Sequence, residues 1–320
     1  MALDGNGRIG EKETLTEPHL ILGIGELLWD LLPDGPQLGG APANFAVMAG
    51  QLGNHAAILS RIGRDDLGRQ AIGRLSPLPV DASFLQVDTA HETGRVTVEF
   101  EDGQPRYTIQ QPAAWDFLEL TDEWVQLAER ADAICFGSLA QRGVQSRQTI
   151  QELVAQTTDK CARVFDVNLR EPFYSGEAIQ ESLELATVLK MNDAELPRVL
   201  ALVGLPVSEG PNKLRLGAER LLEEFPALRM VAVTRGARGS LLVTRETWHE
   251  HSGIVVKVAD TIGAGDAFAA AMTHYLLRGA DLATLNEAGN RWGSWVASQQ
   301  GGMPAAPDEV RAGIAAMIEG

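Results

Sequence analysis

Short apolar runs rich in β-branched residues alternate along this chain with stretches of helical periodicity, and that alternation constrains the fold more than any other feature. Strand-like runs occupy residues 19–25, 56–61, 133–136, 163–167, 188–191, 230–234 and 240–243. Helical patterns fit residues 43–52, 65–75, 122–130, 146–157, 177–186, 214–224, 267–278 and 282–299. Such alternation predicts a doubly wound α/β fold, a mostly parallel sheet with helices on both faces. One interval breaks the rhythm: residues 94–101 and 104–109 read as two strands joined by Asp102 and Gly103, a hairpin-turn dipeptide, and suggest a flap over the sheet's active edge. No repeat or long linker divides the chain. Residues 1–18 mix charge, Gly and Pro without periodicity and are expected to form a disordered leader, with one catalytic domain over 19–320.

Charge narrows the partners. A formal net charge of −16 argues against a sequence-independent grip on nucleic acid and against adhesion to an anionic membrane. An anionic ligand must therefore be held by local donors and a metal. With no run long enough to cross a bilayer and a polar start without a signal-peptide core, the expected location is the cytoplasm. Cys135 and Cys161 stand far apart inside strand patterns, as packing residues do.

The most informative run is Asp260-Thr-Ile-Gly263-Ala264-Gly265-Asp266-Ala-Phe268, placed after a β-branched stretch at 254–258 and before an apolar helical pattern. Gly263 and Gly265 let a ligand approach the main chain, and the first N–H groups of the following helix lack intrahelical partners and carry partial positive charge. The turn suits phosphate, and Asp266 beside it could take a proton from an attacking hydroxyl. Taken alone, the run also fits an ordinary helix start in which Asp266 only complements the macrodipole.

A second Gly-rich stretch runs from Gly39 to Gly53, with Gly63, Asp65 and Gly68 beyond it. Gly39 and Gly40 permit close backbone approach, Pro42 suits the first turn of a helix, and Asn44 offers both donors and acceptors. With Asp30 shortly before, the set suits a ligand rich in hydroxyls, although a plain strand-to-helix turn with a solvated Asp30 reads the same way. Gly23 and Gly25 do not make a dinucleotide site, because Leu28 stands where the third glycine belongs.

Asn192, Asp193 and Glu195 follow a strand whose carboxyl end is where open α/β sheets bind ligands; they suit Mg²⁺ held through water, or equally a helix cap with Glu195 completing a capping box. Asp166, Asn168 and Arg170 follow the previous strand, and Arg170 there is either a clamp on an anion or half of a surface ion pair. His249 and His251 lack a third ligand and are expected to be exposed hairpin residues.

Taken together, DTIGAGDAFAAA near the C-terminus and GGAPAN with its trailing Gly53, Gly63, Asp65 and Gly68 resemble the paired signatures of the PfkB (ribokinase-like) carbohydrate kinases, over about residues 20–310. The resemblance implies a doubly wound domain plus a small β-sheet lid, here about 30–40 and 92–112, that closes on the sugar and mediates a homodimer. It implies ATP and Mg²⁺ as cofactors and a small sugar as partner. By position, Asp266 matches the catalytic base and Gly263, Ala264 and Gly265 the anion hole. Asp30, Gly39, Gly40 and Asn44 match sugar-binding positions. Asn192 and Glu195 match an element organising Mg²⁺ and nucleotide phosphates. Thr234, Gly236 and Asn290 match nucleotide-side positions, and Asp260 a position that ligates K⁺ in several members. GIGELLWD, GGAPAN and DVNLR look most like bacterial fructokinases, implying transfer to the 6-hydroxyl of D-fructose. Ala41 and Pro42 depart from the Lys and Gly of ribokinases, and FGSL around Ser138 lacks their sugar-binding glutamate. 2-Keto-3-deoxygluconate and ribose remain the alternative substrates, and a catalytically inactive, kinase-derived binding protein the alternative of a different class.

Overall fold

Residues 18–32, 35–101 and 104–319 are described by the structure, a computed structural model. The expected leader lies outside these residues apart from Pro18, as does the Asp102–Gly103 turn. In chain order the elements are β1 (Leu20–Ile24), β2 (Leu28–Leu32), β3 (Gly35–Gly39), α1 (Ala41–Gln51), β4 (His55–Leu59), β5 (Arg61–Gly63), α2 (Asp66–Leu75), β6 (Gln86–Asp88), β7 (Gly94–Glu101) and β8 (Gln104–Ile109). They continue with α3 (Asp122–Ala128), β9 (Ala133–Gly137), α4 (Val144–Ala155), β10 (Ala162–Asp166), α5 (Gly176–Leu185), β11 (Val188–Asn192), α6 (Glu195–Leu202) and α7 (Lys213–Glu224). The last are β12 (Met230–Thr234), β13 (Ser240–Val243), β14 (Trp248–His251), α8 (Ala264–Leu276), α9 (Leu282–Ala297) and α10 (Asp308–Glu319).

The apolar runs assemble into one eight-stranded sheet in the order β14-β13-β12-β11-β10-β9-β1-β4. The strands from β4 to β12 are parallel, and β13 and β14 close one edge in antiparallel pairing. Alternate residues of each strand enter different cores. Leu22, Ile134, Phe136 and Phe165 pack with α3 to α7 around Trp124, Leu153 and Leu221, whereas Ile21, Cys135 and Val164 pack with α1, α8 and α9 around Phe45, Phe268 and Trp292. Burial on both faces explains why these strands read as unbroken apolar runs. Both cysteines are buried and free.

A second sheet, in the order β3-β2-β7-β8, contains the hairpin. β7 and β8 have the boundaries expected from the sequence and pair antiparallel, while β2 joins β7 in parallel. The trailing signature residues Gly63, Asp65 and Gly68 brace this sheet. Asp65 caps α2 by accepting from Gly68 N (2.8 Å) and also accepts from Thr93 N (2.7 Å), directly before β7.

Three expectations need correction. Residues 254–258 form no strand: Val255 is 96% and Val258 57% exposed, and none of the described strands pairs with this stretch. The helix after the glycine turn begins at Ala264, not Ala267, which puts Gly265 and Asp266 inside its first turn. His249 and His251 are half-buried on β14 and bonded to α9, His251 Nε2 to Glu287 Oε2 at 2.7 Å and His249 Nδ1 to Asn286 Nδ2 at 3.1 Å. Helix α6 escaped the sequence reading because Pro197 stands in it; at its third residue a proline removes no helical hydrogen bond. No helix among the described residues is long and apolar enough to cross a membrane.

Candidate active site

The N-terminus of α8 opens at the carboxyl edge of the parallel strands. Gly263 is its N-cap in a left-handed conformation (φ 76°), and a Cβ there would lie 2.6 Å from Gly302 Cα and O, so only glycine fits. The first helical bond runs from Ala267 N to Gly263 O at 2.8 Å. The N–H groups of Gly265 and Asp266 precede that bond and are available to an anion.

Asp266 is buried on the third residue of this turn. Asn44 Nδ2, from the first half of α1, donates to Asp266 Oδ2 at 2.7 Å across a separation of 222 residues. The two signature motifs thus meet in one hydrogen bond. Asn44 Oδ1 is buried without a protein partner. Below them, Lys190 Nζ donates to Asp166 Oδ1 and Oδ2 at 3.0 and 2.9 Å. A Cβ on Gly265 would come within 2.8 Å of that ammonium, which explains the second glycine of the turn. Burial, reinforced by the Asp166 charge, pushes the Asp266 carboxyl up to about 6, while Lys190, Asn44 and Arg170 oppose it. Lys190 resists burial and stays above its ordinary value because Asp166, Asp266 and Glu195 hold its proton.

From the second sheet, Asp30 on β2 faces the same region half-buried. Burial raises its carboxyl to about 6 against the pull of Arg170, with Asp260 adding repulsion. A Cβ on Gly39 would stand 3.1 Å from Asp30 Oδ2, and one on Gly40 (φ 118°) would strike Glu26 O at 2.2 Å. Arg170 is exposed, and its charge acts on Glu26, Asp30 and Asp266 together. Among the described residues it shares this influence on Asp266 with the buried Lys190.

The remaining candidates divide. Glu195 takes Leu169 N (2.9 Å) on Oε1 and Asn192 N (2.8 Å) on Oε2, while Asn192 Oδ1 accepts from Glu195 N (2.9 Å). The reciprocal bonds have a capping-box pattern but enclose the turn ahead of α6, whose N-cap is Ala194, and Glu195 also ties the loop after β10 to the one after β11. Thr234 pairs with Asn192 across β12 and β11, and Gly236 begins a short turn at φ 58°. Asp260 closes its loop by accepting from Ile262 N (3.0 Å) and Gly301 N (3.2 Å). Asn290 is buried farther along, its Nδ2 bonded to Ser240 Oγ at 2.6 Å and Asn286 O at 2.7 Å, in a network between α9 and β13 and not in the Asp266 group. The sequence reading missed Glu26 and Lys190 as site residues. The signal was there: an acid directly after a buried strand, and a lysine in the middle of the apolar run Val188-Leu-Lys-Met.

Among the described residues no group of three or more His, Cys, Asp or Glu could cage a metal ion.

A family model described as pfkB family carbohydrate kinase matches residues 36–309. The chain is 30% identical over 271 residues to a fructokinase of Escherichia coli, covering 78% of this chain and 81% of that one. An uncharacterized sugar kinase of Pyrococcus horikoshii superposes with a TM-score of 0.76 at 29% identity, covering 92% of this chain and 99% of that one. Fructokinase from Vibrio cholerae, in its form with fructose, ADP and calcium ion bound, superposes with a TM-score of 0.77 at 28% identity, covering 94% and 99%.

Proposed function

The chain belongs to the pfkB family of carbohydrate kinases, and on that premise we propose that it transfers the γ-phosphoryl group of ATP to the 6-hydroxyl of D-fructose. The observation that carries this reading is the Asn44–Asp266 hydrogen bond, which joins the hydroxyl-binding turn to the phosphate-binding turn.

In the proposed reaction Asn44 holds Oδ2 of Asp266 and leaves Oδ1 to take the proton of the attacking hydroxyl. The freed oxygen forms its bond to the γ-phosphorus as the bond to the β,γ-bridging oxygen breaks, and ADP leaves. The N–H groups of Gly265 and Asp266, with the positive end of α8, stabilise charge on the transferring group. Asp30, Asn44 and Arg170 orient the sugar, and Gly39 and Gly40 let its hydroxyls reach the backbone. On the nucleotide side we assign Asn192, Thr234, Gly236 and Asn290. Glu195 and Asn192 stand where they would hold Mg²⁺ with the nucleotide phosphates, and the ion would supply charge neutralisation there. A K⁺ ion beside Asp260 would order the loop before α8. Closure of the second sheet over the sugar and pairing of two copies through it belong to the same proposal, as does a cytoplasmic location.

Fructose is favoured over ribose by Ala41 and Pro42 and by Ser138, which is buried and neutral where a glutamate would serve ribose. The names of several relatives point the same way. The test is a coupled ADP-release assay over fructose, ribose and 2-keto-3-deoxygluconate, with and without K⁺. Fructose should give the highest kcat/KM; a higher value for either rival reassigns the sugar, and turnover of none overturns the kinase reading.

A further inference from the structure

Helix α1 carries Asn44 to the base, yet it has no cap of its own. Its N-cap is Gly40, no side chain of its own caps it, and no acidic residue stands in its first turn. Pro42 removes one N–H, which leaves the amides of Ala41 and Ala43 to be satisfied or left bare at the positive end of the helix. The sugar-binding motif itself imposes this, because glycines and small residues fill the positions where Ser, Thr or Asp would cap.

The missing cap comes from elsewhere. Glu26, in the link between β1 and β2, is 2% exposed, and its Oε1 accepts from Ala41 N at 3.2 Å. Its main-chain oxygen lies so close to the Gly40 N-cap that a Cβ there would stand 2.2 Å from it, so only glycine lets the chain enter α1 beside Glu26. Ala41 and Asn44 are three residues apart in that helix and share a face, so whatever fixes the first fixes the direction of the second. Oε2 of Glu26 is buried with no side-chain or backbone hydrogen-bond partner among the described residues, so the acceptor on Oε1 is the contact through which this side chain acts on α1.

We propose that Glu26 is a positioning residue for phosphoryl transfer: it caps α1 from outside the helix and thereby sets Asn44 against Asp266. The inference rests on the kinase reading above. Burial raises the Glu26 carboxyl to about 7 against the pull of its own and the Ala41 backbone N–H, with Asp266 adding repulsion and Arg170 opposing, so the capping contact needs an acceptor oxygen and not a full charge. An amide can replace it in that role.

Two variants of the full chain test the inference. Glu26→Gln keeps an acceptor for Ala41 N and should stay within about threefold of wild-type kcat. Glu26→Leu removes it and should lower kcat by about tenfold to a hundredfold while changing the KM for ATP far less, because Asn192, Thr234, Gly236 and Asn290, assigned to the nucleotide, stand on other elements. Amide hydrogen exchange over the first two turns of α1 should accelerate in Glu26→Leu and not in Glu26→Gln, a readout that needs no turnover. Wild-type kcat and exchange in Glu26→Leu would overturn the proposal, as would a loss in Glu26→Gln equal to that in Glu26→Leu. If wild type phosphorylates no sugar, the kinase reading fails separately, and the exchange comparison still decides whether Glu26 caps α1.

Discussion

At the scale of the residue, Asp266 combines burial, a like-charged neighbour and a single strong donor. Asp266→Asn keeps the shape and an acceptor for Asn44 while removing the proton acceptor, so kcat should fall by about 10²–10⁴ with ATP affinity retained. Stability should move the other way. A carboxyl raised from 3.8 to about 6 binds its proton more tightly folded than unfolded, so its ionisation destabilises the fold once pH exceeds both values. Asp266→Asn should therefore melt higher than wild type at pH 8, by up to about 3 kcal/mol, with the gain vanishing near pH 3. Denaturant titrations at the two pH values check this; an equal effect at both would separate the shift from ionisation. For wild type, kcat/KM should decline as pH falls through about 6, where Asp266 takes up its proton. Asp30→Ala should raise the KM for sugar far more than that for ATP, because it stands on the second sheet and not by the phosphate turn.

Elements show why the glycines stand where they do. Gly263 turns the chain into α8 in a left-handed conformation and against Gly302, so Gly263→Ala combines strain with a collision against backbone. It should cost about 1–3 kcal/mol and move the anion-binding N–H groups, visible as a lower melting temperature together with weaker ATP binding. Gly73, by contrast, has nothing within 4 Å of a Cβ, and Gly73→Ala on α2 should leave both unchanged or raise the melting temperature. Element boundaries near the site were legible where local chemistry sets them: the hairpin β7–β8 was readable from alternation and its turn dipeptide. They were illegible where tertiary contact sets them. Residues 254–258 have strand-like composition but pair with none of the described strands, and α8 begins at Ala264, whose N–H donates to Thr261 O, because the left-handed Gly263 turns the chain into the helix where only a glycine clears Gly302.

At the scale of the molecule, the site exists because two cores and two sheets bring distant segments to one edge. Asn44 and Asp266 ride on α1 and α8, which pack side by side on the same face of the large sheet through Phe45, Met48, Phe268 and Met272. A double-mutant cycle of Asn44→Ala with Asp266→Ala should show a coupling of about 1–3 kcal/mol in unfolding free energy, since each single change removes one partner of a buried bond to a charged group. Additive effects would mean that the contact contributes nothing in solution.

The sequence by itself determined the alternation of strand and helix, the paired motifs and thereby the family, and the glycines around Asp266 that the proposed function uses, because each is written in local spacing. Only the tertiary structure decided which partners those residues have. It made Asn44 the holder of Asp266, set the Lys190–Asp166 pair beneath Gly265, turned Glu195 into a strap between two loops, and brought Glu26 to a helix 15 residues away. The reason is physical: side-chain spacing fixes what a residue can offer, but burial and the neighbour it meets across the fold fix its charge and its task.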